Sequence, residues 1–206
     1  MKLKIISSAN KEFEKVREHI NTAYSKRYIG WNSDIDKMFD PQTVCLYILE
    51  GSEIMATSRL VFNRHNGKDL LSPDIGTITN WNYSKDEIDC EGTGLTFKFG
   101  NLQPLMLSMF EWLNSQNVSN CLSLFDPENT QVANYNIRIL NFQPLQSATI
   151  CFPEFMKEDR NQKIQKSVVW NVGIQNPKDR EKCVDTLKGR VLKSDHIGSF
   201  KKLLTE

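Results

Sequence analysis

Residues 31–60 read WNSDIDKMFDPQTVCLYILEGSEIMATSRL, and this stretch decides the fold. An aromatic, Trp31, and two spaced acids, Asp36 and Asp40, lead into two apolar runs. The first is VCLYILE, a turn falls at Gly51-Ser52, and the second, EIMATSRLVF, carries Arg59. Both runs are rich in β-branched and aromatic residues, so the spacing predicts a β-hairpin with strands over 44–50 and 54–62. A charge beside an apolar strand is costly unless paired or solvated. Arg59 is therefore expected either in a salt bridge back to Asp36 or Asp40, or in an anion site.

Working outward, 3–6 (LKII) is a short first strand. In the segment 10–27, Phe13, Val16, Ile20, Ala23 and Tyr24 recur at helical steps. The acids up to Asp40-Pro41 read as a loop, because proline pushes the residue before it out of helical geometry. Beyond the hairpin, 63–73 is a polar connection. Residues 90–99 (CEGTGLTFKF) alternate as a strand, with Leu95, Phe97 and Phe99 on one face. Gly100-Asn101 opens an amphipathic helix over 102–116, with Pro104 in its first turn. A strand over 118–125 follows, then a helix over 129–140 with Asp126 as N-cap, and strands over 148–152 and 167–172. The alternation predicts an α/β (α+β) fold with a mixed, twisted sheet. Residues 1–175 are expected to form the domain and 176–206 a charged, helical C-terminal extension.

Composition narrows the classes. At 206 residues the chain suits one core, and its net charge of +1 gives no sign of a polyanion-binding surface. The first residues turn polar too soon for a signal peptide, and no window reaches a membrane span. The five cysteines, at 45, 90, 121, 151 and 183, are odd in number and never in a C-x-x-C pair. Reduced thiols and a cytoplasmic location follow as expectations. Three dispersed histidines give no zinc pattern, so no metal is expected.

The string RYIGW…D…FD…YIL…G…TSRL resembles the N-terminal half of the acyl-homoserine-lactone synthases, members with the N-acyl amino acid synthases of the GNAT-like N-acyltransferases. Order and spacing match over about the first hundred residues; the remainder matches in outline. The resemblance implies a three-layer α/β/α fold whose central strands, 90–99 and 118–125, part in a V. It implies transfer of a fatty acyl group from acyl carrier protein or acyl-coenzyme A to a small amine. With S-adenosylmethionine as acceptor the product is a homoserine-lactone signal of the quorum-sensing kind; with a free amino acid it is an N-acyl amino acid. No tightly bound cofactor is implied. Other readings of the same chain are a non-catalytic ligand-binding module and an acetyl-coenzyme-A-dependent N-acetyltransferase.

Residue by residue, the family's Glu-x-Ser-Arg element falls on Glu91-Gly92-Thr93-Gly94, which makes Glu91 the candidate general base and Thr93 a substrate contact. Gly94 replaces the family's arginine, which bears on S-adenosylmethionine recognition and lactone formation. Arg59, Asp36 and Asp40 correspond to the acceptor pocket, with Trp31 packing over the ligand; the early arginine maps near Tyr24, Lys26 and Arg27, and Arg27 is the choice. Gly100 and Asn101 could present backbone N–H groups to a phosphopantetheine phosphate. Leu95, Phe97, Phe99, Leu105, Met109 and Phe110 are candidate acyl-tunnel residues. The Q/R-x-x-G-x-G/A loop of coenzyme-A-dependent acetyltransferases is absent, which favours a carrier-protein donor. Lys98, Arg138, Lys157, Arg160, Lys163 and Lys166 would form its docking surface, against the plainer reading of a solvated loop.

Overall fold

The computed structural model describes residues 1–98, 100–158 and 164–192. Phe99, Arg160 and Lys163 therefore lie outside the described residues, as does the end of the expected C-terminal extension. In chain order the elements are β1 (Lys2–Ser7), α1 (Phe13–Ser25), α2 (Ser33–Lys37), β2 (Thr43–Glu50) and β3 (Glu53–Phe62). Then come α3 (Ser72–Ile75), β4 (Thr77–Thr79), β5 (Cys90–Phe97), α4 (Leu102–Ser115) and β6 (Cys121–Phe125). Last are α5 (Thr130–Asn134), which continues as a π-turn over Tyr135–Ile139, β7 (Gln143–Glu158), β8 (Gln165–Gln175) and α6 (Pro177–Leu192).

One sheet runs in the order β1-β2-β3-β5-β6-β8-β7-β4. Every neighbouring pair is antiparallel except β5 and β6. Alternate residues of β2 go to opposite faces, as the period-2 pattern requires. Leu46 and Ile48 join a core with Leu105, Leu113 and Leu187 under α4 and α6. Cys45 and Tyr47 pack against Phe13, Val16 and Ile20 of α1. The result is three layers, helix on sheet on helix, with the mixed sheet in the middle. Arg180 of α6 is fully buried and ties that helix to the sheet, donating to the carbonyls of Val118 and Ser119 at 2.8 and 2.7 Å.

The parallel β5–β6 ladder is short, pairing Cys90, Glu91 and Gly92 with Cys121, Leu122 and Ser123. Beyond it the strands part, as the V-shaped opening anticipated. The cause lies on the other edge of β5. Thr93 pairs with Arg59 and Thr96 with Thr57, so Gly94 and Leu95 together oppose the single residue Ser58. This is a bulge, and Gly94 adopts φ +62°, a conformation that glycine supplies without a Cβ penalty.

Some boundaries differ from the expectations. The acidic segment is not a plain loop: Asn32 accepts from Asp34 N and starts α2, which carries Asp36 inward. The helix expected from an Asp126 cap begins instead at Thr130 under Asn129, whose side chain accepts from Val132 N. β6 begins at Cys121 rather than 118. β7 and β8 are far longer than expected, because β7 absorbs Pro144 and Pro153 at irregularities in its pairing.

Candidate active site

A cavity lies where β5 and β6 diverge, walled by α1, α2, α3, α4, the π-turn and the β7–β8 ribbon. Glu91, Thr93, Arg59, Asp36, Trp31, Arg27 and Phe97 all line it. Residues placed at distant points of the sequence are thus brought to one place.

Glu91 is the most constrained of them. It is 1% exposed, and its carboxylate accepts from Ser72 N at 2.8 Å and from Ser72 Oγ at 2.6 Å. Burial pushes its carboxyl above the ordinary value, while the Ser72 bonds and Arg59 pull the other way. A carboxylate so placed, on a cavity wall, is a group able to accept a proton from a bound ligand.

Arg59 and Asp36 form a buried ion pair, with side chains 5% and 2% exposed. Burial opposes the Arg59 charge, and Asp36 more than offsets it, raising the guanidinium above its usual value. Beyond this ion pair, Arg59 Nε and Nη1 and Asp36 Oδ2 are buried with no further hydrogen-bond partner among the described residues. Of the two readings of Arg59, the salt bridge is present, and the guanidinium also borders the cavity.

Asp40 goes elsewhere. It does not line the cavity and pairs with Arg17 of α1, which in turn meets Glu14. No pattern in the sequence marks Arg17. Its contribution is a second charged layer beside the Arg59–Asp36 pair, with Asp36 and Arg59 both acting on Asp40.

Trp31 belongs to an aromatic wall. Its ring lies 4.8 Å from Tyr24 and 4.9 Å from Phe155, and its Nε1 donates to Asn21 Oδ1 at 3.2 Å. Tyr28 packs edge-on to Trp170 at 5.7 Å, and Arg27, exposed at the rim, lies 5.3 Å from the Tyr28 ring centre. Burial pushes the Tyr24 phenol up to about 12. Another part of the lining is mostly aliphatic: Leu95, Met106, Met109 and Leu140, with Phe142, continue the cavity beneath a half-exposed Phe97. Leu105 and Phe110 are not on that wall but are fully buried in the core under α4. Gly100 and Asn101 stand at the start of α4, outside the cavity lining, with Asn101 N donating to Lys98 O at 3.1 Å.

Sequence reasoning missed Ser72, Phe155, Trp170 and the Ser123–Asn136 pair, in which Ser123 Oγ donates to Asn136 Oδ1 at 3.2 Å. The dipeptide Ser72-Pro73 is a helix-start signal that could have flagged Ser72. The described lysines expected from the sequence to form a docking surface are engaged within the chain. Lys98 pairs with Glu53, Lys157 with Asp126 at 2.8 Å and Glu128 at 3.1 Å, and Lys166 with Glu128 at 2.8 Å.

No protein-family model and no curated protein sequence matches the chain. Solved structures do. FeeM, an N-acyl amino acid synthase from uncultured soil microbes, superposes with TM-score 0.57 at 11% identity, over 89% of this chain and 96% of that one. BjaI, a coenzyme-A-dependent acyl-homoserine lactone synthase, gives TM-score 0.54 at 13% identity, over 98% and 99%. An N-acetyltransferase from Staphylococcus aureus Mu50 gives 0.54 at 9% identity, over 85% and 98%. The chain has the GNAT-type fold shared by these N-acyltransferases, as the sequence resemblance implied.

Proposed function

We infer that this chain is an N-acyltransferase that moves a fatty acyl group from a thioester to the amine of a small acceptor. The observation that carries the reading is Glu91: a buried carboxylate, fixed by Ser72, on the wall of a cavity that also holds Arg59 and an apolar channel. The acceptor nitrogen attacks the thioester carbonyl, the carbon–sulfur bond breaks, and the thiolate leaves, taking up the proton that the amine has given to Glu91. Glu91 takes the proton lost by the amine, directly or through water. The aliphatic wall of Leu95, Met106 and Met109 receives the acyl chain, and the aromatic wall around Trp31 receives the acceptor.

For the acceptor, Arg59 and Arg27 supply positive charge for a carboxylate, the group that a free amino acid and S-adenosylmethionine share. With glycine at 94, Arg27 and Arg59 are the only cations lining the cavity among the described residues, which favours a free amino acid and an N-acyl amino acid product. The donor is a thioester of acyl carrier protein or of coenzyme A. The internal pairing of Lys98, Lys157 and Lys166 weakens the case for a carrier-protein dock built on them. The cysteines at 45, 90, 121, 151 and 183 are all free thiols, which fits a reducing, cytoplasmic setting.

The test is incubation of the purified chain with acyl-coenzyme A and acyl-carrier-protein thioesters and a panel of amines, read by mass spectrometry. N-acyl products that vanish with Glu91→Gln support the reading. No product with any donor–acceptor pair overturns it.

A further inference from the structure

We propose that Ser72 is a positioning residue for Glu91, its hydroxyl holding the carboxylate ionised and oriented toward the cavity. As a catalytic claim this rests on the N-acyltransferase reading above; as a claim about the carboxylate it stands alone. Both oxygens of Glu91 are engaged by one residue: Oε2 accepts from Ser72 N at 2.8 Å and Oε1 from Ser72 Oγ at 2.6 Å. A hydrogen bond to an ionised acceptor is short and about twice as strong as a neutral one. Two such bonds from a single residue fix both the position of the carboxylate and its rotation about the last side-chain torsion.

Ser72 is itself held from both sides. Just before it, Gln42 exchanges two bonds with Leu70, donating to its carbonyl at 2.5 Å and accepting from its N–H at 3.1 Å. Leu71 is fully buried and donates to Asp74 Oδ2 at 2.7 Å, while Lys85 pairs with Asp74 at 3.1 Å. The 63–73 connection, which the sequence presents as a polar loop, is thereby a rigid arm carrying Ser72 to the cavity. Positioning groups act when their own geometry is locked in this way.

The charged and titratable groups facing Glu91 are Arg59 on β3, Asp74 on α3 and Tyr83 in the connection before β5. Arg59 favours the ionised carboxylate, Asp74 disfavours it, and the Tyr83 phenol, itself raised by burial, stays neutral and contributes no charge. The Ser72 hydroxyl is the group whose removal leaves all three in place.

The experiment follows the Glu91 carboxyl by carbon-13 NMR in protein labelled at the glutamate carboxyl carbon, assigned by loss of its signal in Glu91→Gln. Wild type, Ser72→Ala and Ser72→Thr are titrated, with melting temperatures recorded to establish that each is folded. Ser72→Ala is expected to move the Glu91 titration up by roughly one pH unit, the effect of losing one bond to a charged group. Ser72→Thr, which keeps the hydroxyl, is expected to titrate like wild type. In the acyl-transfer assay the acidic limb of the rate profile moves with the titration, and kcat falls with the acceptor KM unchanged. An unchanged titration in folded Ser72→Ala overturns the proposal. If wild type transfers no acyl group, the N-acyltransferase reading fails, and the titration still decides the role of Ser72.

Discussion

Gly94 lies so close to Arg59 across the sheet that a β-carbon at position 94 would sit 2.9 Å from the Arg59 β-carbon, and 3.2 Å from Ile20 Cδ1. Where the resembling synthases carry an arginine, this chain has no room for any side chain unless Arg59 moves. The bulge that opens the sheet and the arginine that borders the cavity are therefore one structural unit.

Gly94→Ala tests that unit. The left-handed backbone at φ +62° alone costs a non-glycine residue about 1–2 kcal/mol, and displacement of Arg59 adds to it. Urea unfolding is expected to show a loss above this range, with weaker acyl transfer. Gly94→Arg is expected to be worse on both counts rather than to recover a family-like site. A Gly94→Arg chain as stable as wild type would show that the close approach is not a constraint.

The Arg59–Asp36 pair yields a second prediction. Removing one partner leaves a buried charge uncompensated, so Asp36→Leu is expected to lose about 3–5 kcal/mol. Replacing both, as Arg59→Met with Asp36→Leu, returns most of that stability, because neither charge then remains to be desolvated. The double variant is expected to lose acceptor binding all the same. Denaturant midpoints on the four chains of this cycle give the coupling, and a coupling near zero rejects the pair as a structural element.

Glu91→Gln separates catalysis from stability. Turnover is expected to fall roughly 10²–10⁴-fold, the range for a general base. Because the folded carboxyl lies above its ordinary value of 4.5, the native state binds the proton more tightly than the unfolded chain. Stability from Glu91 is then fully present below about pH 4 and declines as pH rises through the folded value. Glutamine carries no such penalty and still offers an oxygen to Ser72 N, while its amide donates to the Ser72 hydroxyl. The melting temperature of the variant is expected to overtake wild type with rising pH. Parallel melting curves at every pH would contradict the raised carboxyl.

Much of this arrangement is written in local pattern. The hairpin that carries Arg59, the alternation in β5 that carries Glu91 and Thr93, and the helical periods of α1 and α4 follow from spacing alone. The resemblance added which of those residues meet. What neither revealed are contacts between loops and irregular segments. Ser72 reaches Glu91 across 19 positions and Arg17 reaches Asp40 across 23, through side-chain bonds that leave no periodic trace. Asp126-Pro127 has the chemistry of a helix cap, and Asp126 Oδ1 does accept from Glu128 N at 3.0 Å, but the same carboxylate also holds Lys157 of β7 and the helix starts only under Asn129. Pro144 and Pro153 concealed the length of β7 for a related reason: long strands absorb proline at irregularities that no window reveals.

Chain length should be set by the aliphatic wall. Met109 is 2% exposed, borders the cavity, and has its sulfur 3.1 Å from Ser58 Oγ. Met109→Trp fills the channel and is expected to shift the preferred donor to shorter acyl groups, at about 1–3 kcal/mol of overpacking strain. Rates across a series of acyl lengths measure this. An unaltered length profile in a folded variant would remove Met109 from the acyl channel.

Donor choice turns on charges already paired. Lys157 meets Asp126 and Glu128, Lys166 meets Glu128, and Lys98 meets Glu53, so little field from these lysines reaches an acidic partner. Steered association can gain 10–10³-fold in rate and falls steeply with ionic strength. Here the efficiency with acyl carrier protein, relative to acyl-coenzyme A, is expected to change by less than about threefold between low salt and 0.5 M, where the Debye length is only about 4 Å. Arg138 is exposed, and Arg138→Glu is expected to leave that ratio within about twofold. A steep, carrier-specific loss with salt, or with Arg138→Glu, would establish a basic dock despite the internal pairs.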